Sequence, residues 1–526
     1  MRSTFHREHG VVVSLGRPGA HWSVDIPQKT LDSLMACDEL SKTHTLSASQ
    51  VATVLAKRKI PEPTEAAPLL LLLMRLIKNP AYTRPSVPGR GHTYNVVTET
   101  SHLDEFKARG REVAPPVVDR PAVVPADTLA NEEVAVKARI LEPRNTVVPP
   151  VIYNRWAVDF TRNVVPSDKA FTGFPESCTY VWDQQNRPAQ RARLAKVWNT
   201  ASIHDPFRVQ AFLKAEAYAA PKAPRVISTV PSSYTLMLSR FTYAFKRDIM
   251  VTHPWYAPSL APQQLARRVV EIAEGQTVTA SDYGHFDGTV SMWLRDHIEL
   301  AAYLRWVNPD DRSDLRTLMR KEINTRGYTK YGVKYSIEAQ RLSGSPLTTD
   351  GNTLINAFAS YCALRKAGYD DQAAFTRLGA YAGDDGLTPV SFRHLKAVSL
   401  ELGLTLTGRE RKTGQLDFFG RVFYNPFSGE LGSVQDPVPT MAKIHLSFCG
   451  KDVSDQQPLV NKAYGYAMID PDAPLVSDYC RSVLRLLRTY DPKIMVDDLP
   501  YWARFLEEGA GQTETWPQVQ THEGLE

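Results

Sequence analysis

The chain has 526 residues, with 62 Lys and Arg against 57 Asp and Glu and a formal net charge of +5. Hydrophobic residues make up 43% of it and charged residues 23%, which excludes a disordered or fibrous chain; the length suits two or three domains, or one large enzyme with subdomains. The charge excess is too mild to establish a polyanionic partner, although residues 181–225 hold eight basic residues (Arg187, Arg191, Arg193, Lys196, Arg208, Lys214, Lys222, Arg225) against three acids (Asp183, Asp205, Glu216). A solvated charged face explains such a run equally well.

The N-terminal "MRSTFHREHG" lacks the apolar core of a secretory signal. The strongest apolar run, Ala66 to Ile77, contains Arg75 and is too short to span a bilayer. A buried helix is expected there, with a membrane-surface helix or a partner contact as the alternative. Prolines interrupt Arg111 to Pro150, which reads as an extended connector or as strands lying along a larger body. Helical spacing follows over residues 263–275 and 291–307, with a strand in "QTVTASDY" between them. A third helix is expected from a Thr or Asp cap near Thr349 to Gly368. "LGAYAGDDGLTPV" reads as a β-hairpin whose turn is Gly383-Asp384-Asp385-Gly386. Then come a helix in "RHLKAVSLELG", a β-rich stretch over residues 416–424, a mainly helical region after Asn425 and a disordered tail. The five cysteines are far apart and lack paired ligand spacing, which favours a reducing compartment and argues against a zinc site.

Gly-Asp-Asp alone is a weak signal, but more acids lie about a hundred residues earlier. Asp282 ends the predicted strand and Asp287 follows, with Gly288 freeing the backbone. Carboxylates on neighbouring strand ends can converge, and such hard oxygen ligands bind Mg²⁺ in preference to zinc or copper while leaving positions for substrate phosphates. Two such ions can activate an attacking hydroxyl and stabilise a leaving pyrophosphate. Between the clusters, "SGSPLTTDGNT" places Ser343, Gly344, Thr348 and Asn352 in a mobile loop and on the next helix, where they could instead merely cap it. Upstream, Lys214, Lys222 and Arg225 could clamp a triphosphate.

These segments together resemble the RNA-dependent RNA polymerases of positive-strand RNA viruses. "KAEAYAAPKAPRVIS" looks like motif F, "SDYGHFDG" like motif A, "SGSPLTTDGNT" like motif B, "YAGDDG" like motif C and "LDFFGRVF" like motif E, all in the family's order. The wording is most similar to nodavirus enzymes, with tombusvirus-like enzymes next. The resemblance implies an α+β right-hand fold of fingers, palm with an antiparallel sheet, and thumb, closed by fingertip extensions. It divides the chain into an N-terminal extension with fingertips and a Pro-rich connector (1–150), fingers (151–275), palm (276–425, with a fingers insertion at 308–342), and thumb with a C-terminal tail (426–526).

The implied roles follow position by position. Asp282 and Asp384, assisted by Asp385, would hold two Mg²⁺ ions, for which Mn²⁺ can substitute. Asp287 and Asn352, helped by Ser343, Gly344 or Thr348, would recognise the ribose 2′-hydroxyl. Lys222 and Arg225 would hold the triphosphate, Lys214 with Glu216 would shape the channel, and Arg421 would support the primer strand. Lys412 is the nearest candidate for the general acid, in competition with Arg409 and Arg411. The implied activity is RNA-templated RNA synthesis from NTPs; a non-catalytic RNA-binding scaffold and a reverse transcriptase are the rivals. Single-stranded RNA and NTPs are the expected partners, with other viral or host replication proteins, in the host cytoplasm or at membrane-associated replication complexes. Nodavirus replicases are longer, with an N-terminal capping and membrane-anchoring region. The roughly two hundred residues before Lys214 carry no methyltransferase pattern, so fingers extensions bridging to the thumb are expected there, without capping.

Overall fold

A computed structural model describes residues 111–492 apart from short gaps at 119–121, 126–127, 186–187, 220–221 and 449–452, and, earlier in the chain, residues 2–6, 10–16, 23–27, 47–57, 63–64 and 66–68. The chain forms two compact units, residues 1–106 with 193–206, and residues 107–192 with 207–526. The boundaries expected at 150, 275 and 425 all fall inside the second.

In the first unit β1 (Arg2–His6), β2 (Gly10–Gly16) and β3 (Ser23–Pro27) form an antiparallel sheet in that order. Helix α1 (Ala48–Lys57) starts at a capping box: the Gln50 backbone N–H donates to Ser47 Oγ at 3.3 Å, and the Ser47 N–H donates to Gln50 Oε1 at 2.8 Å. The run expected to be a buried helix at Ala66–Ile77 is helical at residues 66–68, with Ala66 and Ala67 buried; its remainder lies outside the described residues. So do Cys37, Cys449 and the C-terminal tail. Among the described residues Cys178, Cys362 and Cys480 are unpaired, and no helix is long and apolar enough to cross a membrane.

The second unit opens with β4 (Arg111–Glu112) and then departs from the expected extended connector. Helix α2 (Leu129–Val136) continues through a π-helical turn, Lys137–Leu141. Thr128 caps it by accepting from the Asn131 N–H at 3.3 Å, and Glu132 stands in its first turn; the prolines flank this helix and leave its interior free. Helix α3 (Ile152–Val164) follows. A mixed sheet of order β6-β5-β8-β9 joins β5 (Val209–Leu213), β6 (Val226–Thr229), β8 (Thr325–Thr329) and β9 (Lys334–Ile337), in which only β5 and β8 run parallel. Helices α4 (Ser232–Asp248) and α5 (Pro262–Ala273) come between β6 and β7 (Val278–Tyr283). The expected helix at 291–307 forms as α6, three joined pieces (Met292–Leu294, π-helical Arg295–Leu300, Ala301–Trp306), and α7 (Arg312–Arg320) follows.

Helix α8 (Thr348–Lys366) is buried on every side from Asp350 to Leu364. No side chain caps it, contrary to expectation. The Thr348 hydroxyl is turned back to the carbonyls of Leu342 and Ser345 at 2.9 Å each, and Asp350 instead accepts from the Tyr256 hydroxyl at 2.5 Å. Next come β10 (Ala380–Ala382), β11 (Asp385–Thr388), α9 (Phe392–Glu401) and β12 (Leu406–Arg411), and a wholly antiparallel sheet forms in the order β10-β11-β7-β12. One of its faces packs Val278, Ala380, Ala382 and Leu387 against Leu265, Ala266, Val269 and Ile272 of α5; α8 is hydrogen-bonded to the hairpin from the other side. The expected β-rich stretch is the hairpin β13 (Leu416–Phe418) and β14 (Arg421–Phe423), paired onward with β15 (Ser433–Gln435). The C-terminal region contains α10 (Pro437–Lys443), β16 (Leu446–Ser447, paired with β4), α11 (Gln456–Ile469) and α12 (Val476–Leu486), with a core of Ile444, Leu459, Ala463, Val476, Cys480 and Val483.

Candidate active site

The Gly-Asp-Asp turn is tighter than its sequence suggested. Ala382 pairs with Asp385, so the hairpin turns on two residues, Gly383 and Asp384, and Asp385 already belongs to β11. Gly383 takes φ 65°, the left-handed geometry a two-residue hairpin needs at its first central position and one that glycine adopts without strain. The register Gly386↔Ser281 between β11 and β7, carried one step on, brings Asp385 abreast of Asp282 on the same face of the sheet. Three carboxylates thus stand at one end of the sheet, Asp384 in the turn, Asp385 at the start of β11 and Asp282 on β7 a hundred residues earlier.

Their electrostatics record the crowding. Burial pushes the Asp385 carboxyl up to about 7, and the Asp384 and Asp282 carboxylates add to the rise. Asp384 is raised by burial too, with further repulsion from Asp282 and Asp287. An oxygen-only donor set under mutual repulsion fits a hard divalent cation, whose charge would relieve it. Among the described residues no three acidic, histidine or cysteine side chains close a cage on their own. A cation here would therefore draw its remaining ligands from water or from substrate phosphates, as Mg²⁺ sites commonly do.

The turn is held by two residues that sequence reasoning missed. The Asn356 Nδ2 lies 3.1, 3.2 and 3.0 Å from the carbonyl oxygens of Gly383, Asp384 and Asp385. The Gly383 N–H donates to the Thr353 hydroxyl at 2.8 Å. One turn further along α8, Ser360 and Thr388 share a hydrogen bond at 2.9 Å. The available signal was polar spacing: Asn352, Asn356 and Ser360 recur every four residues in an otherwise apolar stretch.

Asp287 and Asn352, which were expected to act together, do meet: Asn352 Nδ2 donates to Asp287 Oδ1 at 2.7 Å. Burial raises the Asp287 carboxyl, opposed by this bond and by Arg341, Arg225 and Arg295. Gly288 does not free the backbone, since the left-handed residue of this turn is His285 at φ 56°. Its lack of a side chain serves close approach instead: a Cβ there would lie 2.5 Å from Pro143 Cγ and 3.0 Å from the Arg139 carbonyl oxygen. Arg139 reaches from the π-helical end of α2 to donate to His285 Nδ1 at 3.0 Å and to the Ala223 carbonyl at 2.8 Å, linking the basic loop to this turn.

In that loop Glu216 organises the cations. Lys214 Nζ lies 2.7 Å from Glu216 Oε2 and Arg225 Nε 3.5 Å from Oε1. Burial pushes the Glu216 carboxyl up, but Lys214 and Arg225 bring it below its ordinary value. Lys222 sits 5.1 Å from the centre of the Tyr218 ring, whose hydroxyl accepts from the Arg225 N–H at 2.8 Å. Ser343 and Gly344 are stitched to β6: Ser343 Oγ donates to the Val226 carbonyl and accepts from the Ser228 N–H, both at 3.0 Å, and the Gly344 N–H donates to the Ser228 carbonyl at 3.1 Å. Ser343, Gly344 and Thr348 thus shape the loop beside Asn352.

Two expected residues are not brought to the site. Arg421 is buried and its guanidinium is consumed: it lies 2.6 Å from Asp470 Oδ1 and 3.2 Å from Oδ2, and donates to Ser433 Oγ at 3.0 Å and the Ser433 carbonyl at 2.9 Å. It fastens the β14–β15 hairpin to the end of α11 and offers no hydrogen-bonding edge to a primer strand. Lys412 is exposed beyond Arg411, which pairs with Val278, four residues along β7 from Asp282. At about 3.4 Å per residue that is roughly 14 Å from the carboxylates.

An antiparallel sheet presents this trio and is backed by a helix whose Asn352 reaches Asp287. Residues 178–424 match the family described as viral RNA-dependent RNA polymerase. The chain is 34% identical over 541 residues to the RNA-directed RNA polymerase of Striped jack nervous necrosis virus, an alignment covering 98% of the chain and 52% of that protein. It is 32% identical over 495 residues to that of Pariacoto virus (90% and 49%) and 26% identical over 543 residues to that of Macrobrachium rosenbergii nodavirus (98% and 49%). The chain spans about half the length of the curated relatives it matches, and the nodavirus-type resemblance read from the motifs agrees with them.

Proposed function

We propose that the chain catalyses RNA-templated RNA synthesis, in which the 3′-hydroxyl of the growing RNA attacks the α-phosphate of an incoming NTP and pyrophosphate leaves. The observation that carries this reading is the strand register that sets Asp282 beside Asp385, with Asp384 in the adjoining turn. Asp282 and Asp384, with Asp385 assisting, would hold two divalent cations, Mg²⁺ or in its place Mn²⁺. When bound, these supply activation of the hydroxyl and charge stabilisation of the pyrophosphate.

The chain's own residues orient the substrates. Asn356 and Thr353 fix the turn that carries Asp384. The Asp287–Asn352 pair is a donor–acceptor combination suited to a ribose 2′-hydroxyl, which a deoxyribose cannot satisfy. Lys222 and Arg225 would meet the triphosphate, with Glu216 restraining Arg225 and Lys214. The sheet β10-β11-β7-β12 is read as the palm, the sheet β6-β5-β8-β9 as part of the fingers and helices α11 and α12 as part of the thumb. Single-stranded RNA would bind chiefly through its phosphates, and so with affinity that falls steeply with salt. The site of action would be the host cytoplasm, in replication complexes with other viral or host proteins.

The test is to supply the purified chain with an RNA template, NTPs and Mg²⁺. Template-dependent product that vanishes in Asp384→Ala supports the reading, and equal product from that variant removes it.

A further inference from the structure

We infer that Arg341, clamped by Glu299, is the positioning residue that sets sugar selection, because it orients the Asn352 amide against Asp287. The inference rests on the polymerase reading. Arg341 Nε donates to Asn352 Oδ1 at 3.0 Å. A guanidinium has donors only, so the amide oxygen must face it, and the Asn352 Nδ2 is thereby turned to Asp287 Oδ1, 2.7 Å away. The second N–H of that amide and the second oxygen of that carboxylate are left to meet a hydroxyl, which both donates and accepts. The backbone points the same way, since the Arg341 N–H donates to the Asp287 carbonyl at 2.8 Å. One residue therefore holds both members of the pair.

Arg341 is itself held from behind. Its guanidinium forms an ion pair with both oxygens of Glu299, and neither side chain is exposed. Glu299 lies on the π-helical part of α6, as does Arg295, which donates to the Ala339 and Gln340 carbonyls at 2.5 and 2.8 Å and pairs with Glu322 at 3.0 Å. The segment leading into Arg341 is thus fixed at each of its last two residues. Gly351 leaves the space this requires: a Cβ there would lie 2.6 Å from Arg341 Nη2 and 2.8 Å from Glu299 Oε1. Asn352, next in the chain, sits directly over the ion pair.

A buried pair that only joined α6 to the segment before α8 would affect both kinds of nucleotide alike when altered, whereas a device acting through Asn352 affects only the nucleotide with a 2′-hydroxyl. The experiment measures kcat/KM for an NTP and for the matching 2′-deoxynucleotide during templated single-nucleotide addition by the full chain. Arg341→Lys keeps the charge but cannot serve Asn352 and Glu299 together, and Glu299→Gln loosens the clamp at constant size. In both, preference for the NTP should fall, by about tenfold in Arg341→Lys, through weaker NTP use with deoxynucleotide use unchanged, as in Asn352→Ala. An equal loss on both substrates, or unchanged preference in folded variants while Asn352→Ala loses it, overturns the inference. Should Arg341→Lys fail to fold, Glu299→Gln decides by the same criterion. Absence of any addition by the unaltered chain overturns the polymerase reading and this inference with it.

Discussion

Asn356 is fully buried, and its one amide group serves three consecutive carbonyls of the turn that carries Asp384. Two N–H groups are shared among three acceptors, so Asn356→Ala leaves Gly383, Asp384 and Asp385 with no side-chain donor. Stranding buried acceptors costs about 1–3 kcal/mol, which the apolar remainder of α8 should absorb without unfolding. The turn retains the Thr353 contact to the Gly383 N–H and is left free to shift by a fraction of its own width. A displacement of about 1 Å at a reacting centre lowers a rate by about 10²-fold. The expected result is a thermally weakened but folded variant that binds RNA normally and adds nucleotides about 10²-fold more slowly at saturating NTP. Asn356→Asp, which replaces the donor with a charged acceptor facing three carbonyls, should be slower still. Single-turnover addition on a primed template, with a melting curve on the same preparation, makes the comparison. Wild-type rates from a folded Asn356→Ala would refute the claim that this amide positions the turn.

Other expectations come from the same geometry. Burial and its acidic neighbours raise Asp385 from 3.8 to about 7, so the stability this group contributes is full below about pH 4 and lost as pH rises through 7, a difference of about 4 kcal/mol. A divalent cation should offset that loss, so Mg²⁺ should raise Tm more at pH 8 than at pH 6; equal shifts at the two pH values would contradict the shared carboxylate site. Arg421→Ala should destabilise the fold by about 3–5 kcal/mol by leaving Asp470 buried and unpaired, with the loss read as unfolding at lower denaturant; a silent substitution would restore a surface role to Arg421. Lys412→Ala should add nucleotides at the unaltered rate and with an unaltered pH profile, because strand register carries it away from Asp282; a large loss would reinstate it as an acid.

The residues legible from sequence were those whose chemistry conflicts with their surroundings. Two acids between glycines in an apolar hairpin need a compensating partner, and the strand bearing Asp282 provides a third carboxylate in register. The pairing of Asp287 with Asn352 was implied by the family resemblance and not by local pattern, and the two side chains are hydrogen-bonded. Asn356 and Thr353 offered only the polar spacing, because α8 is buried all round and helical periodicity cannot say which stripe meets the hairpin when every stripe is covered; Arg341 precedes α8, and its partners Asn352 and Glu299 lie 11 and 42 residues away. Arg421 was misread for a related reason: its partner Asp470 lies 49 residues away, and a basic residue in a β-turn region looks the same in sequence whether it is solvated or paired. The Pro-rich connector hid α2 because prolines mark breaks in regular structure without marking where it resumes after Thr128. Lys412 was chosen by proximity in sequence, and an antiparallel strand separates its neighbours by some 3.4 Å at every step.

The most direct test of the account compares Asp282→Asn with Asp384→Asn in templated nucleotide addition, with RNA binding measured in parallel. Asp282 lies on β7 and Asp384 in the β10–β11 turn, with 101 residues between them, yet each substitution should lower addition by about 10³-fold or more while leaving RNA affinity intact. Near-normal addition from either variant would contradict a single catalytic centre built across β7 and the β10–β11 turn.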